Sequence, residues 1–135
     1  MRVSAAATRT VTMTTTDEVT RWIEAYRSAW ISNDADEVAA LFTEDALYEF
    51  RPNDPEPWRG RDEIVTGWLE EPDAPDTWTF DFKIVGLLDD GTAVVQGVTE
   101  YLDENPTYDN LWLIAFEEGK ASRFTEWYME REQAE

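Results

Sequence analysis

Two glutamates on predicted strands are the side chains with the clearest potential for chemistry. Each carboxylate shares a strand face with apolar neighbours: Glu100 with Val98 and Leu102, and Glu126 with Phe124 and Tyr128. A buried carboxylate is costly unless it is partnered. Two close carboxylates in an apolar pocket would share a proton, which raises one pKa and suits an acid–base pair. The alternative is that both lie at strand ends or pair with arginines in a structural network.

Two tyrosines are candidates for orienting a ligand or a water molecule. Tyr26 lies on the apolar stripe of the first predicted helix, and Tyr48 lies on the first predicted strand. A phenol both donates and accepts hydrogen bonds, so an inward hydroxyl would hold a ligand oxygen. The alternative is that both rings fill the core and their hydroxyls are satisfied locally.

Further candidate ligand-binding residues are mostly aromatic. Aromatic residues make up 13% of the chain and include seven tryptophans. Rings at regular spacing either fill a core or wall a cavity for a flat apolar molecule. Trp58, in a proline-rich loop, is expected to act as a lid or to anchor that loop. The predicted lining consists of Trp30, Phe50, Trp68, Phe82, Val98, Asn110, Trp112 and Tyr128.

The composition excludes several kinds of site. The chain has no cysteine and no histidine, so disulfides and thiolate metal sites are excluded and the usual general base is missing. Acid–base chemistry must therefore use carboxylates, tyrosine or water. No acidic spacing matches a calcium loop. We expect no metal and no cofactor.

The formal net charge of -19 limits the expected partners. Such an acidic surface repels phosphate backbones and anionic lipids, so we predict neither nucleic-acid nor membrane binding. No segment is long and apolar enough to cross a bilayer, and the N-terminus lacks the apolar region of a signal peptide. We therefore expect a cytoplasmic protein, with residues 1–14 a disordered extension or tag.

The first half of the chain predicts three helices and one strand. Thr15 and Glu18 form a potential capping box, as do Asp34 and Glu37. Prolines 72 and 75 end the third helix. We expect helices over 17–32, over 35–42 and from 61 to before 72, and a strand over 46–50.

The second half predicts an antiparallel meander. Alternating patterns indicate strands over 77–88, 92–102, 108–116 and 121–130, with a hairpin signal at Asp89–Gly91. Helices followed by strands favour an α+β fold. We predict one domain over residues 15–132, a cone of three N-terminal helices packed on a strongly curved antiparallel or mixed sheet. Tyr101, Trp127 and Met129 are expected to face outward.

Three stretches resemble the nuclear transport factor 2-like superfamily and, within it, the SnoaL-like proteins. They are WISNDADEVAALFTEDALYEF over 30–50, WRGRDEI over 58–64 and KASRFTEWYME over 120–130. The resemblance covers about residues 17–130 and implies the cone-shaped fold and a homodimer formed through the open sheet face. The superfamily includes ketosteroid isomerases, epoxide hydrolases, polyketide cyclases, dehydratases and non-catalytic domains, so the fold leaves the function open.

The resemblance also assigns places to individual residues. Tyr26 stands where ketosteroid isomerases have a helix tyrosine, but Phe50 stands in place of their catalytic aspartate, and Trp112 lies near the place of their second acid. Tyr48 matches a tyrosine of limonene-epoxide-hydrolase-like enzymes. Glu100 and Glu126 match the positions of their two acids, whereas Phe50 and Val98 replace their asparagine and arginine.

Two functions follow as hypotheses. The first is an enzyme of isomerase, cyclase, dehydratase or epoxide-hydrolase type that acts on a small apolar molecule. Glu126 would be its base, Glu100 its acid, and Tyr26 and Tyr48 would orient substrate or water. The second is a non-catalytic ligand-binding or dimerisation domain of the same fold. Two close, buried glutamates would favour the first, and two separate, solvated ones the second.

Overall fold

Three helices precede most of the sheet in the computed structural model, which describes residues 14–70, 72–102 and 106–131. They are α1 (Thr16–Ser32), α2 (Ala35–Ala40) and α3 (Arg61–Glu70). The expected disordered extension lies outside the described residues except for Thr14. No helix in the described ranges is long and apolar enough to cross a membrane.

Six strands form one curved, open sheet against which the helices pack. They are β1 (Phe42–Glu49), β2 (Trp58–Arg59), β3 (Trp78–Leu87), β4 (Ala93–Tyr101), β5 (Thr107–Glu117) and β6 (Lys120–Glu130). Their order is β2-β1-β6-β5-β4-β3. β1 runs parallel to β6, and the other pairs are antiparallel. The predicted α+β class with a mixed sheet is therefore confirmed.

Helix caps account for the entry into the first two helices. The Thr15 hydroxyl accepts from the Glu18 backbone, and the Glu18 carboxylate accepts from the Thr15 backbone, so the predicted box is present. Asp34 caps α2 by accepting from the Asp36 backbone at 2.8 Å. Glu37 does not complete a second box, because its carboxylate accepts instead from the Ser28 hydroxyl at 2.6 Å.

The main difference from the expected elements lies between α2 and β1. The helix ends at Ala40, and the strand begins at Phe42 rather than at Ala46. Phe42 pairs with Ala121 of β6, and the register shifts before Leu47. Residues 43–45, whose own pattern indicates a break, thus belong to the strand because the residues on either side of them pair with β6.

The core lies between α1 and the concave face of the sheet. The predicted stripe of α1 is buried, and its Trp22 indole donates to the Leu41 carbonyl at 2.9 Å. On the sheet side, Trp112, Phe42 and Phe124 are fully buried. This packing fills part of the space between α1 and the sheet, and the remainder forms a pocket.

Candidate functional site

A pocket of about 570 Å³ lies between the helices and the C-terminal part of β4. Its floor comes from β4, β5 and β6, and its walls come from α1, β1, α3 and the segment that follows α3. The lining includes Tyr26, Trp30, Asn33, Tyr48, Phe50, Trp58, Gly67, Trp68, Pro72, Asp73, Thr99, Tyr101, Pro106, Tyr108, Asn110, Trp112, Glu126 and Tyr128. Its volume is within the range typical of small-molecule sites.

Glu126 supplies the carboxylate on the pocket floor. It stands directly opposite Trp112 across the β5–β6 pair. One carboxylate oxygen, Oε2, accepts from the Trp112 indole at 3.1 Å and from the Asn110 amide at 3.3 Å. The Thr99 hydroxyl donates to the amide oxygen of Asn110 at 2.8 Å, which turns the Asn110 NH₂ group toward Glu126.

Burial gives this carboxylate an unusual proton affinity. Desolvation raises the pKa of Glu126 to about 7, and the hydrogen bonds from Trp112 and Asn110 offset only part of the rise. Neither donor is charged, and no arginine or lysine side chain bonds to it among the described residues. Glu126 therefore exchanges a proton near neutral pH, which is the range in which a general acid or base is effective.

Tyr26 and Tyr48 face each other beside the floor. Their hydroxyl oxygens are 2.9 Å apart, and both rings are buried. Burial raises the pKa of both phenols well above the usual value, and the Glu126 charge raises them further. Both stay protonated at neutral pH. Because one hydroxyl donates to the other, the second has a proton left for a ligand oxygen.

A second acidic side chain, Asp73, lines the pocket from the segment after α3. Its Oδ2 atom accepts from the Trp30 indole at 3.0 Å and from the Tyr101 hydroxyl at 3.1 Å. Asn33 donates to the Asp73 carbonyl at 3.1 Å. The sequence reasoning missed Asp73, since it lies in an aperiodic proline-rich segment where only the fold shows which way it faces.

Most of the predicted site residues surround this one pocket. The structure brings together Tyr26, Trp30, Tyr48, Phe50, Trp68, Asn110, Trp112, Glu126 and Tyr128. Trp58, the expected lid or anchor, also lines it. Within the described residues there is no group of three or more aspartates and glutamates that could hold a metal ion.

The expected pairing of Glu100 with Glu126 is wrong. Glu100 is exposed, while the next residues on either side, Thr99 and Tyr101, line the pocket. Val98, which was expected in the lining, shares the outward face with Glu100. Tyr101, which was expected to face outward, lines the pocket. The sequence pattern of β4 was ambiguous because valines occur on both of its faces, and the wrong face was assigned to the interior.

Phe82 also lies away from the pocket, for a different reason. It shares a face of β3 with the buried Phe80, but it pairs with Gly97, two residues before Thr99 on β4. The Phe82 ring stacks on Phe80 with centroids 6.1 Å apart, and the Arg27 guanidinium lies 5.8 Å from the Phe82 centroid. The face of β3 on which Phe82 lies was predicted correctly. Its position along the strand was not, and this position keeps it out of the pocket.

Comparison with known proteins places the chain in a family. Residues 19–127 match the SnoaL-like domain. This match covers well over half of the chain, and the protein therefore belongs to the SnoaL-like domain family. None of the curated proteins compared matches it.

Solved structures share the fold at low sequence identity. An NTF-2 like protein of unknown function from Burkholderia xenovorans has a TM-score of 0.68 and 17% identity, with 88% of each chain covered. A candidate ketosteroid isomerase from Kribbella flavida has a TM-score of 0.61 and 22% identity over 88% of this chain and 83% of its own. An epoxide hydrolase of LEH type from M. tuberculosis has a TM-score of 0.58 and 18% identity over 84% of each chain. The nuclear transport factor 2-like fold is thus confirmed.

Proposed function

We propose that this protein is a small-molecule enzyme that transfers a proton at a carbon atom of a largely apolar, ring-bearing substrate. The observation that carries the proposal is the Glu126 carboxylate on the pocket floor, where burial brings its pKa to about 7. Aromatic rings surround it, and two protonated phenols lie nearby. A buried acid with this proton affinity is poised for general acid–base work.

The arrangement supports a two-part mechanism. The Glu126 carboxylate takes a proton from a carbon next to a substrate carbonyl, and the electron pair of the broken C–H bond moves onto the carbonyl oxygen. The free hydroxyl proton of the Tyr26–Tyr48 pair donates a hydrogen bond to that oxygen as its negative charge develops. Protonated Glu126 then returns the proton to the same or another carbon.

This mechanism assigns no role to Glu100. Its exposed carboxylate lies on the opposite face of β4 from the pocket, so the acid–base pair expected from the sequence is replaced by one residue in both roles. Isomerisation, cyclisation and dehydration all contain such a proton transfer. The neighbouring folds include proteins described as a candidate ketosteroid isomerase and an epoxide hydrolase, which is consistent with chemistry in this pocket.

Hydrogen–deuterium exchange into a simple carbon acid tests the proposal without knowledge of the natural substrate. Cyclic ketones such as 2-cyclohexenone and 1-tetralone are incubated with the protein in deuterium oxide, and loss of the α-proton NMR signal is followed. We expect the wild type to exceed Glu126→Gln by at least about a hundredfold, the lower end of the range for a general base. Glu117→Gln, which removes an exposed carboxylate at the end of β5, serves as the matched control and retains the wild-type rate. Equal rates for wild type and Glu126→Gln would exclude the mechanism.

A non-catalytic binding role is the second candidate, and the mutual bond of the two tyrosines favours it. Because the hydroxyls of Tyr26 and Tyr48 already form a hydrogen bond with each other at 2.9 Å, each has a partner in the absence of a substrate. A binding protein would hold the same ligands with wild-type affinity after Glu126→Gln and would show no exchange above background. An enzyme would lose exchange and keep its affinity for the ketone within a few-fold.

We further propose that the protein is a homodimer through the outer face of the sheet. Leu111 lies opposite Trp127 and Leu113 lies opposite Val94 on this face, while the helices occupy the other one. Met129 at the end of the patch is 64% exposed. A contiguous apolar patch of this kind usually marks an interface. The cytoplasmic location expected from the sequence stays a prediction.

A further inference from the structure

The pocket combines negative charge with aromatic walls. More than half of its lining side chains are aromatic, and its charged members are Glu126 and Asp73. No lysine or arginine stands among the described residues that line it. Arg27 of α1 points elsewhere: it donates to the Phe80 carbonyl at 2.6 Å and lies over the Phe80 and Phe82 rings.

Asp73 is held firmly in place at the pocket wall. The Trp30 indole and the Tyr101 hydroxyl both donate to its Oδ2, at 3.0 and 3.1 Å. Asn33 donates to its backbone carbonyl and in turn accepts from the Trp68 indole at 3.3 Å. Three aromatic side chains are thus oriented, directly or through Asn33, around one carboxylate.

The same region presents further rings at close range. Tyr108 packs edge-on to Tyr101 with centroids 5.9 Å apart, and Trp30 and Trp68 both pack edge-on to Tyr26, at 6.0 and 5.0 Å. Burial and the Asp73 charge raise the pKa of Tyr101, so its hydroxyl remains a neutral donor. The wall therefore places four aromatic side chains beside a fixed negative charge.

This combination recognises one class of ligand better than others. An anionic ligand would meet two carboxylates and no balancing cation. A neutral ligand would gain contact with the rings but nothing from the charge of Asp73. A protonated or quaternary amine gains both, because cations bind ring faces and carboxylates together.

We infer that the ligand carries a positively charged nitrogen, which lies against Asp73 and the rings of Trp30, Tyr101 and Tyr108. Its apolar body then extends over the pocket floor toward Glu126. This inference rests on the proposal that the pocket is the ligand site, but it does not depend on the proton-transfer step.

A charged probe and its neutral isostere test the inference directly. Choline and 3,3-dimethylbutan-1-ol differ in the replacement of a quaternary nitrogen by a quaternary carbon. Binding is followed by the tryptophan indole N–H signals in NMR spectra, with about 150 mM salt present to screen the surface charge. We expect choline to bind about tenfold more tightly than the alcohol, the scale of a partly desolvated cation–π contact.

Two isosteric variants distinguish the effect of the Asp73 charge on binding from the effect of the protein's overall negative charge. Asp73→Asn should weaken choline binding several-fold and leave the alcohol unaffected, since only the cation uses the carboxylate and the rings stay in place. Asp81→Asn removes the same charge from an exposed position on β3 that faces Val98 on the outer side of the sheet, and it should change neither affinity. Thermal melting of both variants verifies that they remain folded.

The possible outcomes have distinct meanings. Equal affinities for choline and the alcohol would overturn the cation inference and leave the pocket as a ligand site. Equal losses from Asp73→Asn and Asp81→Asn would also overturn it, because the effect would then come from net charge. Failure of both probes to bind at tens of millimolar would overturn the inference together with the assignment of the ligand site. Loss of hydrogen–deuterium exchange alone would remove only the catalytic proposal.

Discussion

Glu126 owes its proton affinity to a balance between burial and hydrogen bonding. The donors, Asn110 and Trp112, are neutral groups at 3.3 and 3.1 Å, and their hydrogen bonds offset only part of the rise in pKa that desolvation causes. Glu49 shows the opposite balance. Although buried, it accepts from Arg123 at 2.9 Å and from Thr125 at 2.7 Å, and these partners lower its pKa despite the opposing effect of desolvation. Glu49 has a charged partner and is a structural carboxylate, whereas Glu126 has none among the described residues and is the candidate functional one.

The raised pKa of Glu126 makes folding stability depend on pH in a defined direction. Between the ordinary value of 4.5 and about 7, the folded state holds a proton that the unfolded state releases. The contribution of Glu126 is therefore most favourable below pH 4.5 and is lost as the pH rises through 7. At 1.36 kcal/mol for each pKa unit, the loss is up to about 3 kcal/mol. We predict that Glu126→Gln gains up to this amount relative to the wild type between pH 5 and pH 8.5.

Urea denaturation of both proteins at the two pH values measures this gain. Glu100→Gln is the matched control, since Glu100 is exposed, and its stability difference from the wild type should stay within about 0.5 kcal/mol at both pH values. A pH-independent difference between Glu126→Gln and the wild type would contradict the assigned pKa.

At the scale of elements, close packing between α3 and β2 defines one side of the pocket. A Cβ atom built on Gly67 would overlap the Trp58 indole. Trp58 also contacts Phe50 and Tyr48, with ring centroids 4.7 and 5.0 Å away. The absence of a side chain at position 67 therefore lets Trp58 lie against the helix. Of the two roles expected for Trp58, lid or anchor of the proline-rich loop, this packing favours the anchor.

We predict that Gly67→Ala displaces Trp58 and changes the pocket. Glycine-to-alanine substitutions inside helices usually stabilise by about 1 kcal/mol. Here the overlap with a large ring opposes that gain, because a packed indole shifts only at the cost of its contacts with Phe50 and Tyr48. The melting temperature should therefore fall or stay level, and ligand affinity should change.

Gly86→Ala is the control for this substitution. A Cβ at Gly86 meets no atom within 4 Å, so the change should leave ligand affinity unaltered. If Gly67→Ala raised the melting temperature and left ligand binding intact, the packing role of this glycine would be refuted.

At the scale of the whole molecule, the two faces of the sheet lie in different environments. The helices cover the concave face, and the outer face keeps an apolar patch of Val94, Leu111, Leu113, Trp127 and Met129. We predict a light-scattering mass near twice the 15.6 kDa of one chain at micromolar concentration. Leu111→Glu should halve that mass, since a charge at the patch centre is costly to bury.

Leu88→Glu provides the control for the dimer test. Leu88 is 51% exposed in the turn after β3, outside the patch, so its substitution should leave the mass of the wild type unchanged. Circular dichroism confirms folding of both variants. A wild-type mass equal to that of a single chain would refute the proposed dimer.

The sequence by itself determined the fold class, the element order and most of the pocket. Helical spacing placed Tyr26 and Trp30 on the inner stripe of α1, and strand alternation placed Trp112 and Glu126 on inner faces. These signals are local, since each depends on a period within one element. The resemblance of three stretches to SnoaL-like proteins then indicated how the elements assemble.

Only the tertiary structure decided which second carboxylate lines the pocket together with Glu126. Alternation shows that Thr99 and Glu100 face opposite ways, but it does not show which of them faces α1, since apolar residues occur on both faces of β4. Pairing with β3 and β5 settles that choice, and it buries Thr99 and exposes Glu100. Asp73 comes from an aperiodic segment, and its place beside Tyr101 depends on contacts between residues distant in the chain. Long-range packing, which no local period encodes, thus determined the charge of the pocket.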